Sequence, residues 1–273
     1  MSQAHIKLLY RFPLKVRRPF VRMWYEYISG LDRDADVIFM NYGWASLDPE
    51  AEPLTLRPED ETNRYCIQLY HRVASAVDLR GLDVLEVGCG RGGGAAYVAR
   101  YLGPRSMTGL DLAAKAIEFC QRHYAIPGLT FVQGDAEALE FAADTFDVVI
   151  NIESSHCYAA MSKFLIGVHR VLRPGGYFLF ADLRKKEHIK TLRRQFKDSG
   201  LTVLKEETIN DNVIKALELD NARKEALIKR KVPRVFQPLF CEFAGIEGTF
   251  SRNASFRSGD LVYLLSVLRK ESR

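Results

Sequence analysis

The chain has 273 residues, of which 47% are hydrophobic and 27% charged, so it can bury the core of one α/β domain with additions. Its five cysteines include no CxxC pair, which argues against a disulfide framework or a zinc site and favours a reducing, cytoplasmic location. No apolar run is long enough to span a bilayer, and the first residues lack the apolar core of a signal peptide.

The formal net charge of +5 is concentrated at the beginning of the chain, where residues 1–30 carry six Lys or Arg side chains and one acidic residue, Glu26. Aromatic residues lie between these charges, so this arm suits an anionic membrane surface or a lipid-like ligand, whereas a nucleic-acid reader would spread its basic groups over a face. The alternative is a solvated helix that packs its aromatic rings on the main domain. We expect residues 1–58 to form a helical arm and a lid, in which Tyr42 and Trp44 contact a substrate; packing of these two rings in the core is the alternative.

A helical pattern from about residue 59 to 77 leads into five short apolar runs that alternate with helical segments. The runs cover residues 84–87, 107–112, 130–133, 146–150 and 177–180. This rhythm predicts right-handed βαβ units and a mainly parallel sheet, with ligands at the carboxyl ends of the strands. Residues 59–183 are therefore expected to form the ligand-binding core of an α/β fold.

The last third of the chain departs from this alternation. Residues 184–240 carry charged helical patterns, and we expect them to form a helical insertion that caps the ligand site. Residues 241–273 then predict two strands, at 245–250 and 260–268, which complete the core sheet as an antiparallel edge.

The first apolar run is followed directly by a glycine-rich turn, residues 88–94, and then by an Ala-rich helical segment. Glycine allows a sharp bend and a close approach of the backbone to a ligand, and the next helix presents free N–H groups. The spacing of Gly88, Gly90 and Gly93 also satisfies G-x-G-x-x-G, so a dinucleotide site and a nucleoside site are both open at this point.

Polar residues stand where four of the apolar runs stop: Glu86, Asp111, Asp135 and Asn151. Because parallel strand ends share one rim, these side chains should converge on one ligand. Asp111 is placed to accept hydrogen bonds from two ribose hydroxyls, and Asp135 to hold an adenine amino group. Any one of these residues could instead cap a helix, but four at successive strand ends favour a ligand.

The order of the segments Leu-Glu-Val-Gly-Cys-Gly, Gly-Leu-Asp-Leu, Gly-Asp-Ala-Glu, Phe-Asp-Val-Val and Leu-Arg-Pro-Gly-Gly resembles that of the class I S-adenosylmethionine-dependent methyltransferases. The resemblance implies a Rossmann-like α/β sheet, mostly parallel with an antiparallel C-terminal edge, and S-adenosylmethionine as cofactor. The cofactor contacts that it implies are Glu86, Gly88, Cys89, Gly90, Asp111, Leu112, Asp135, Ala136 and Asn151.

Four shorter segments, 63–64, 69–72, 92–94 and 153–158, resemble the bacterial phthiotriol and phenolphthiotriol dimycocerosate O-methyltransferases and related lipid and polyketide enzymes. This narrower resemblance implies O-methylation of a hydroxyl on a hydrophobic, long-chain or polyketide-like small molecule. It implies no nucleic-acid partner.

The segment after the fourth strand is expected to carry the catalytic residues. Methyl transfer to a hydroxyl requires a base that removes its proton, and histidine, with a reference pKa of about 6.5, can do so near neutrality. We therefore predict His156 as the general base, with Glu153 orienting its imidazole and Tyr158 contacting the substrate. Glu153 could alternatively contact the cofactor amine or cap the following helix. The other histidines show no metal-ligand spacing, and no metal is expected.

Two alternatives remain open from the sequence. Asn151-Ile152-Glu153-Ser154 lacks the Pro-Pro-aromatic pattern of enzymes that methylate exocyclic amines of nucleic acids, so that class is not favoured. A C-methyltransferase acting on a prenyl, sterol or quinone-like acceptor is the enzymatic alternative. A cofactor-binding partner subunit without turnover is the alternative of another class.

Overall fold

A computed structural model describes residues 35–246 and 252–272 of the chain. The predicted helix of the N-terminal arm, and with it the predicted membrane contact of that arm, lies outside these residues. Across the two described ranges, no helix has the length and apolar character needed to cross a membrane.

In the described part of the chain, seven strands form one mixed sheet in the order β3-β2-β1-β4-β5-β7-β6. The strands are β1 (Asp83–Val87), β2 (Ser106–Asp111), β3 (Leu129–Gln133), β4 (Phe146–Ile152), β5 (Leu172–Lys185), β6 (Leu201–Thr208) and β7 (Leu261–Lys270). The first five strands pair in parallel, whereas β7 pairs antiparallel with both β5 and β6. The predicted fold class, a mostly parallel α/β sheet with an antiparallel C-terminal edge, is confirmed.

Helices cover both faces of the sheet. They are α1 (Arg64–Ala74), α2 (Gly93–Tyr101), α3 (Ala114–His123), α4 (Met161–Val171), α5 (Ile189–Asp198), α6 (Asn210–Lys231), α7 (Gln237–Ala244) and α8 (Arg252–Ser258). Short 3-10 turns cover Pro58–Asn63, Ser155–Cys157 and Lys186–His188.

The central strands are buried on both faces, which explains why their sequences read as continuous apolar runs. Val148 and Ile150 of β4 pack in one cluster with residues of α1, α2 and α3, and Val149 packs in a second cluster with residues of α4 and α5. Strands β1 and β4 lie side by side, and the chain leaves them toward opposite edges. Such a switch point opens a crevice at the carboxyl ends of the strands.

The predicted helical insertion differs from the structure, because residues 184–240 also contain strand β6. This strand forms the edge of the sheet, and most of its side chains are exposed or half-buried. Edge strands commonly carry charged residues that prevent further pairing. The Lys205-Glu206-Glu207 run of β6 is typical of such an edge. Because the run is charged like the neighbouring helical segments, the sequence pattern did not indicate a strand there.

The predicted closing strand pair is also different in the structure. Its second member is present as β7, but β7 pairs with β5 and β6. Of the other predicted strand, Gly245 lies in a turn after α7 with a φ of 70° and Ile246 is coil, while residues 247–251 lie outside the described part of the chain. The antiparallel edge is therefore assembled from β6 and β7, and the described residues between these strands include α6, α7 and α8.

Residues 38–45, which we call the strap, run across the carboxyl ends of the strands without forming a helix or strand. The strap is fastened at three places by backbone hydrogen bonds: Gly93 N donates to Ile38 O, Trp44 N to Tyr65 O, and Ala45 N to Asn212 O. It therefore joins α1, α2 and α6 above the crevice.

Candidate active site

A cleft lies between the strap and the carboxyl ends of the central strands. It brings together seven of the nine predicted cofactor residues: Gly88, Cys89, Gly90, Asp111, Leu112, Asp135 and Ala136. The opposite part of its lining comes from Ile38 to Asn41 of the strap, from Tyr70 of α1 and from the segment after β4. The cleft thus lies where the topology of the sheet predicts a ligand site.

The glycine turn borders this cleft with a backbone that other residues cannot easily adopt. Gly88 has a φ of 80°, and a Cβ added there would lie 1.9 Å from Ser154 Oγ. Gly90 has a φ of 53°, and its Cβ would lie 2.7 Å from Met40 Cε of the strap. Both positions therefore favour glycine for the left-handed backbone, and Gly88 does so also because Ser154 approaches closely, whereas the end of the flexible Met40 side chain could move away from Gly90.

Asp111, at the end of β2, joins the glycine turn to the next helix. Its Oδ2 accepts a hydrogen bond from Gly90 N at 2.8 Å, and its Oδ1 accepts one from Ala113 N at 2.9 Å. Asp135 Oδ1 likewise accepts from Glu137 N at 2.9 Å. Each carboxylate oxygen has a second lone pair, so both residues can also accept hydrogen bonds from a ligand in the cleft.

Glu86 and Asn151 lie behind the cleft lining rather than in it. Glu86 is fully buried, and its Oε1 accepts a hydrogen bond from Tyr70 Oη at 2.6 Å, so Tyr70 is the residue that reaches the cleft. Asn151 is the sixth residue of β4, and its Nδ2 donates to Val87 O at 2.8 Å and to Tyr158 Oη at 3.1 Å. Asn151 therefore supports the glycine turn and Tyr158 from within the sheet.

Three buried oxygen atoms around the cleft have no hydrogen-bond partner among the described residues: Asn41 Oδ1, Glu86 Oε2 and Asn151 Oδ1. All three are acceptors, and so are the lone pairs of Asp111 and Asp135. S-Adenosylmethionine presents an amino group on adenine, two ribose hydroxyls and an α-ammonium group, which are all donors. The residues present therefore fit this cofactor.

His156 lies on the 3-10 turn after β4, and the predicted partner of its imidazole is wrong. The Nδ1 atom is 2.7 Å from Asp182 Oδ1, and the His156 backbone N donates to Asp182 Oδ2 at 2.8 Å. Glu153 makes neither contact. The backbone of Glu153 is in the left-handed region, with a φ of 45°, and its side chain points toward the strap. The carboxylate that orients His156 is therefore Asp182.

Asp182 is fully buried in β5 and surrounded by donors. Ser155 Oγ donates to its Oδ2 at 2.6 Å, and Arg184 Nη1 lies 3.0 Å from the same atom. Burial favours the neutral acid, but the charges of Arg184 and His156 and these hydrogen bonds outweigh it and hold the pKa of Asp182 well below its usual value. Asp182 is consequently an anion across the physiological range.

The His156 ring is partly accessible, with 23% of its side chain exposed. Burial lowers the pKa of the imidazole, but Cys157 and the Asp182 carboxylate outweigh that effect and raise it well above its ordinary value. His156 itself is not part of the cleft lining, whereas its neighbours Cys157 and Tyr158 are. The imidazole thus stands beside the cleft with Nδ1 held by Asp182.

Glu153 lines the cleft and holds the strap. Its Oε1 accepts hydrogen bonds from Tyr42 N at 2.7 Å and from Tyr263 Oη at 2.9 Å. Burial raises the pKa of its carboxyl group to about 7, against these two hydrogen bonds, which lower it. The backbone carbonyl of Tyr42 is bound as well, because Lys224 Nζ donates to Tyr42 O at 3.3 Å.

The two predicted aromatic contacts of the lid do not line the cleft. The Tyr42 ring is buried and packs edge-on against Phe256 of α8, with ring centroids 5.8 Å apart. Trp44 is partly buried against the same core. The preceding strap residues, Ile38 to Asn41, line the cleft instead.

Tyr158, which was predicted to contact a substrate, lies beside the glycine turn. Its hydroxyl is 2.8 Å from Ser154 Oγ, and a Cβ on Gly88 would come within 3.0 Å of it. The sequence interpretation also missed Asn41, Tyr70 and Asp182. A signal existed for Asp182, which is the first polar residue after the apolar run of β5.

Comparisons with known proteins agree with this geometry. Residues 85–180 match a family model described as a methyltransferase domain. A fatty-acid O-methyltransferase of Mycolicibacterium smegmatis is 43% identical over 87% of this chain and 86% of its own length. A phthiotriol/phenolphthiotriol dimycocerosates methyltransferase of Mycobacterium tuberculosis is 41% identical over 92% of each chain.

Solved structures show the same fold at much lower identity. The cyclopropane synthase MmaA2 of Mycobacterium tuberculosis superposes with a TM-score of 0.68 at 17% identity, over 89% of this chain and 95% of the other. A geranyl diphosphate C-methyltransferase of Streptomyces coelicolor superposes with a TM-score of 0.64 at 16% identity, over 90% and 97%. At these identities the comparison concerns the fold alone.

Proposed function

Because this chain belongs to the S-adenosylmethionine-dependent methyltransferases, with relatives 41–43% identical over almost its whole length, we propose that it methylates an oxygen atom of a hydrophobic lipid or polyketide-type acceptor. The observation that carries the proposal is the extent of the similarity, which covers 87% and 92% of the chain and so reaches beyond the core into the cap. The names of the relatives supply the acceptor class. Membership in an enzyme family displaces the alternative of a non-catalytic subunit.

Different residues around the cleft are proposed to bind different parts of the cofactor. Asp111 is proposed to bind the ribose hydroxyls, Asp135 and the backbone at Ala136 the adenine, and the Gly88–Gly90 turn the methionine part. Tyr70 and Tyr158 flank that turn and are proposed to contact the cofactor as well. When bound, S-adenosylmethionine supplies the methyl group of its sulfonium. The leaving group is the neutral thioether that remains.

For a hydroxyl acceptor, we propose that His156 removes the proton. With Nδ1 donating to Asp182, Nε2 is the ring nitrogen that can accept it, while the acceptor oxygen forms its bond to the methyl carbon. Asp182 fixes the ring and the tautomer, and its charge stabilises the imidazolium that forms. Only neutral imidazole accepts a proton, so turnover should rise with pH through the raised pKa of His156.

A fatty-acid carboxylate is a second candidate acceptor, since a relative at 43% identity is named a fatty-acid O-methyltransferase. A carboxylate is already ionised near neutrality and needs no base. Protonated His156 would then hold the acceptor by charge, so turnover should fall as pH rises through the same pKa. C-methylation of a prenyl, sterol or quinone-like acceptor is the remaining enzymatic alternative.

Product analysis with methyl-labelled S-adenosylmethionine separates these candidates. Purified enzyme is incubated with long-chain alcohols, hydroxylated polyketide extracts and free fatty acids of matched length. We expect an alkali-stable product whose labelled methyl has the NMR shift of an O–CH₃ group. Release of labelled methanol by alkali would assign a carboxylate acceptor, and a C–CH₃ shift would contradict O-methylation.

A further inference from the structure

The two oxygens of the Asp182 carboxylate each meet a different charged group. Oδ1 lies 2.7 Å from His156 Nδ1, and Oδ2 lies 3.0 Å from Arg184 Nη1. Asp182 is fully buried, and 12% of the Arg184 side chain is exposed. A buried carboxylate therefore stands between an imidazole, which titrates, and a guanidinium, which stays a cation in a folded protein.

Ser155 connects Arg184 to the same carboxylate a second time. Arg184 Nη2 donates to Ser155 Oγ at 2.6 Å, and Ser155 Oγ donates to Asp182 Oδ2 at 2.6 Å. Arg184 Nη1 also donates to Leu183 O at 2.7 Å. These contacts hold the guanidinium at the carboxylate oxygen that does not bind the imidazole.

The charge of Arg184 acts on the imidazole in one direction. The Asp182 carboxylate favours the protonated imidazole, and a guanidinium beside that carboxylate offsets part of the attraction. The guanidinium also repels an imidazolium directly, which adds to the same effect. Charges interact more strongly in a buried cluster than in water, because the surroundings are less polarisable. Arg184 therefore favours the neutral form of His156.

The neighbouring groups do not supply this positive charge. Among the described residues, the ion pairs of Asp182 are those with His156 and Arg184. Other ionisable groups that interact electrostatically with Asp182 or His156 are acids, which are neutral or negative: Glu153, Cys157, Tyr158 and Tyr263. Negative groups near an imidazole favour its protonated form, so they act against Arg184.

We propose that Arg184 is a positioning residue for His156, which holds the Asp182 carboxylate in place and keeps more of the imidazole in the neutral form. The consequence for catalysis rests on the proposed role of His156 as the base for a hydroxyl acceptor. A carboxylate acceptor would need the protonated imidazole instead. Arg184 therefore also favours hydroxyl over carboxylate acceptors.

An NMR titration of histidine in the free enzyme tests the proposal without an acceptor. The enzyme carries isotope-labelled histidine, and the His156 signal is identified by its absence from His156→Ala. Arg184→Gln removes the charge and keeps an amide donor, so we expect the titration midpoint of His156 to rise by about 0.5–1 pH unit. Arg184→Lys keeps the charge and should return the midpoint most of the way to the wild-type value.

Arg193→Gln is the matched control. Arg193 pairs with Glu206 at 2.6 Å on the sheet edge, and its loss should leave the His156 midpoint unchanged. If Arg184→Gln does not fold, Arg184→Met removes the same charge from an unbranched side chain and allows the same comparison. An unchanged or lower midpoint would overturn the proposal, because a merely structural Arg184 would on removal release His156 from Asp182.

Turnover of a hydroxyl acceptor distinguishes this proposal from the proposed function. In Arg184→Gln, the acidic limb of the pH dependence of kcat should move to higher pH together with the NMR midpoint. A midpoint that rises while the acidic limb stays in place would support the effect of Arg184 on His156 and would instead refute His156 as the base.

Discussion

The two sides of the cleft are built in different ways. On the cofactor side, Asp111 and Asp135 lie at strand ends and accept hydrogen bonds from backbone N–H groups of the adjacent turns. On the acceptor side, Glu153 binds Tyr42 and Tyr263, which are 111 and 110 residues away in the chain. If these sites have the roles proposed above, cofactor binding depends on local backbone geometry, whereas methyl transfer depends on side chains that the whole fold brings together.

Of the substitutions considered, replacing His156 should give the largest difference between its effect on kcat and its effect on cofactor affinity. We expect His156→Ala to lower kcat about 100-fold or more, because the hydroxyl proton loses its acceptor, while the affinity for S-adenosylhomocysteine stays within about twofold. Single-turnover kinetics and calorimetry measure the two quantities. His188→Ala, at an exposed position outside the cleft, is the control and should keep full activity. Loss of cofactor affinity in His156→Ala would show that the two sides are not separable.

A substitution in the glycine turn should instead affect cofactor binding. Gly88 and Gly81 have similar φ values, 80° and 74°, but a Cβ at Gly88 meets Ser154 Oγ whereas one at Gly81 meets nothing within 4 Å. Alanine at either site should cost about 1–2 kcal/mol of folding free energy from the left-handed backbone. Only Gly88→Ala should also weaken cofactor binding, by about tenfold or more. Equal cofactor affinity in the folded variants would contradict a role of this turn in binding.

Asp182 allows a finer test within the acceptor side. The pKa of His156 is raised by Cys157 and by the charge of Asp182; Asp182→Asn removes that charge, and it should lower kcat about tenfold at the pH optimum. The acidic limb of the pH–rate profile should move to lower pH, since neutral imidazole is then populated at lower pH. A purely structural role would reduce kcat without moving that limb.

The smallest expected effect concerns Glu86 on the cofactor side. Burial raises the pKa of its carboxyl group to about 8, so the free protein holds a proton there near neutrality. Tyr70 separates Glu86 from the cleft, but a cationic ligand group at the glycine turn still favours the charged carboxylate over a short distance, and S-adenosylhomocysteine affinity should therefore increase about threefold or more from pH 6 to pH 8. Glu86→Gln should flatten this dependence. A flat profile in wild type would argue against a cationic ligand group close to Glu86.

The same contrast explains which residues could be predicted from the sequence. Glycine spacing and the polar residues after apolar runs are local signals, and they identified four residues that line the cleft, Gly88, Gly90, Asp111 and Asp135; the family resemblance added Cys89, Leu112 and Ala136. Glu86 was placed too close to the ligand because side chains alternate along a strand, and its side chain faces α1, where Tyr70 lies between it and the cleft.

The acceptor side could be predicted only in part. His156 could be placed after the fourth strand, but its partner depends on how far β5 extends, and that is set by pairing with β7 as far as Lys185. Strand β6 and the strap contacts of Glu153 likewise depend on residues distant in sequence. No local pattern indicates that Tyr42 packs on Phe256 instead of covering the cleft.

The central claim is that His156, held by Asp182, accepts the proton of a hydroxyl acceptor. The pH dependence of kcat in the wild-type enzyme, measured with saturating cofactor and acceptor, tests it most directly. The claim predicts that kcat rises with pH through a single ionisation above the ordinary pKa of histidine and then reaches a plateau. A kcat that falls as pH rises through that ionisation, or that does not change with pH, would contradict it.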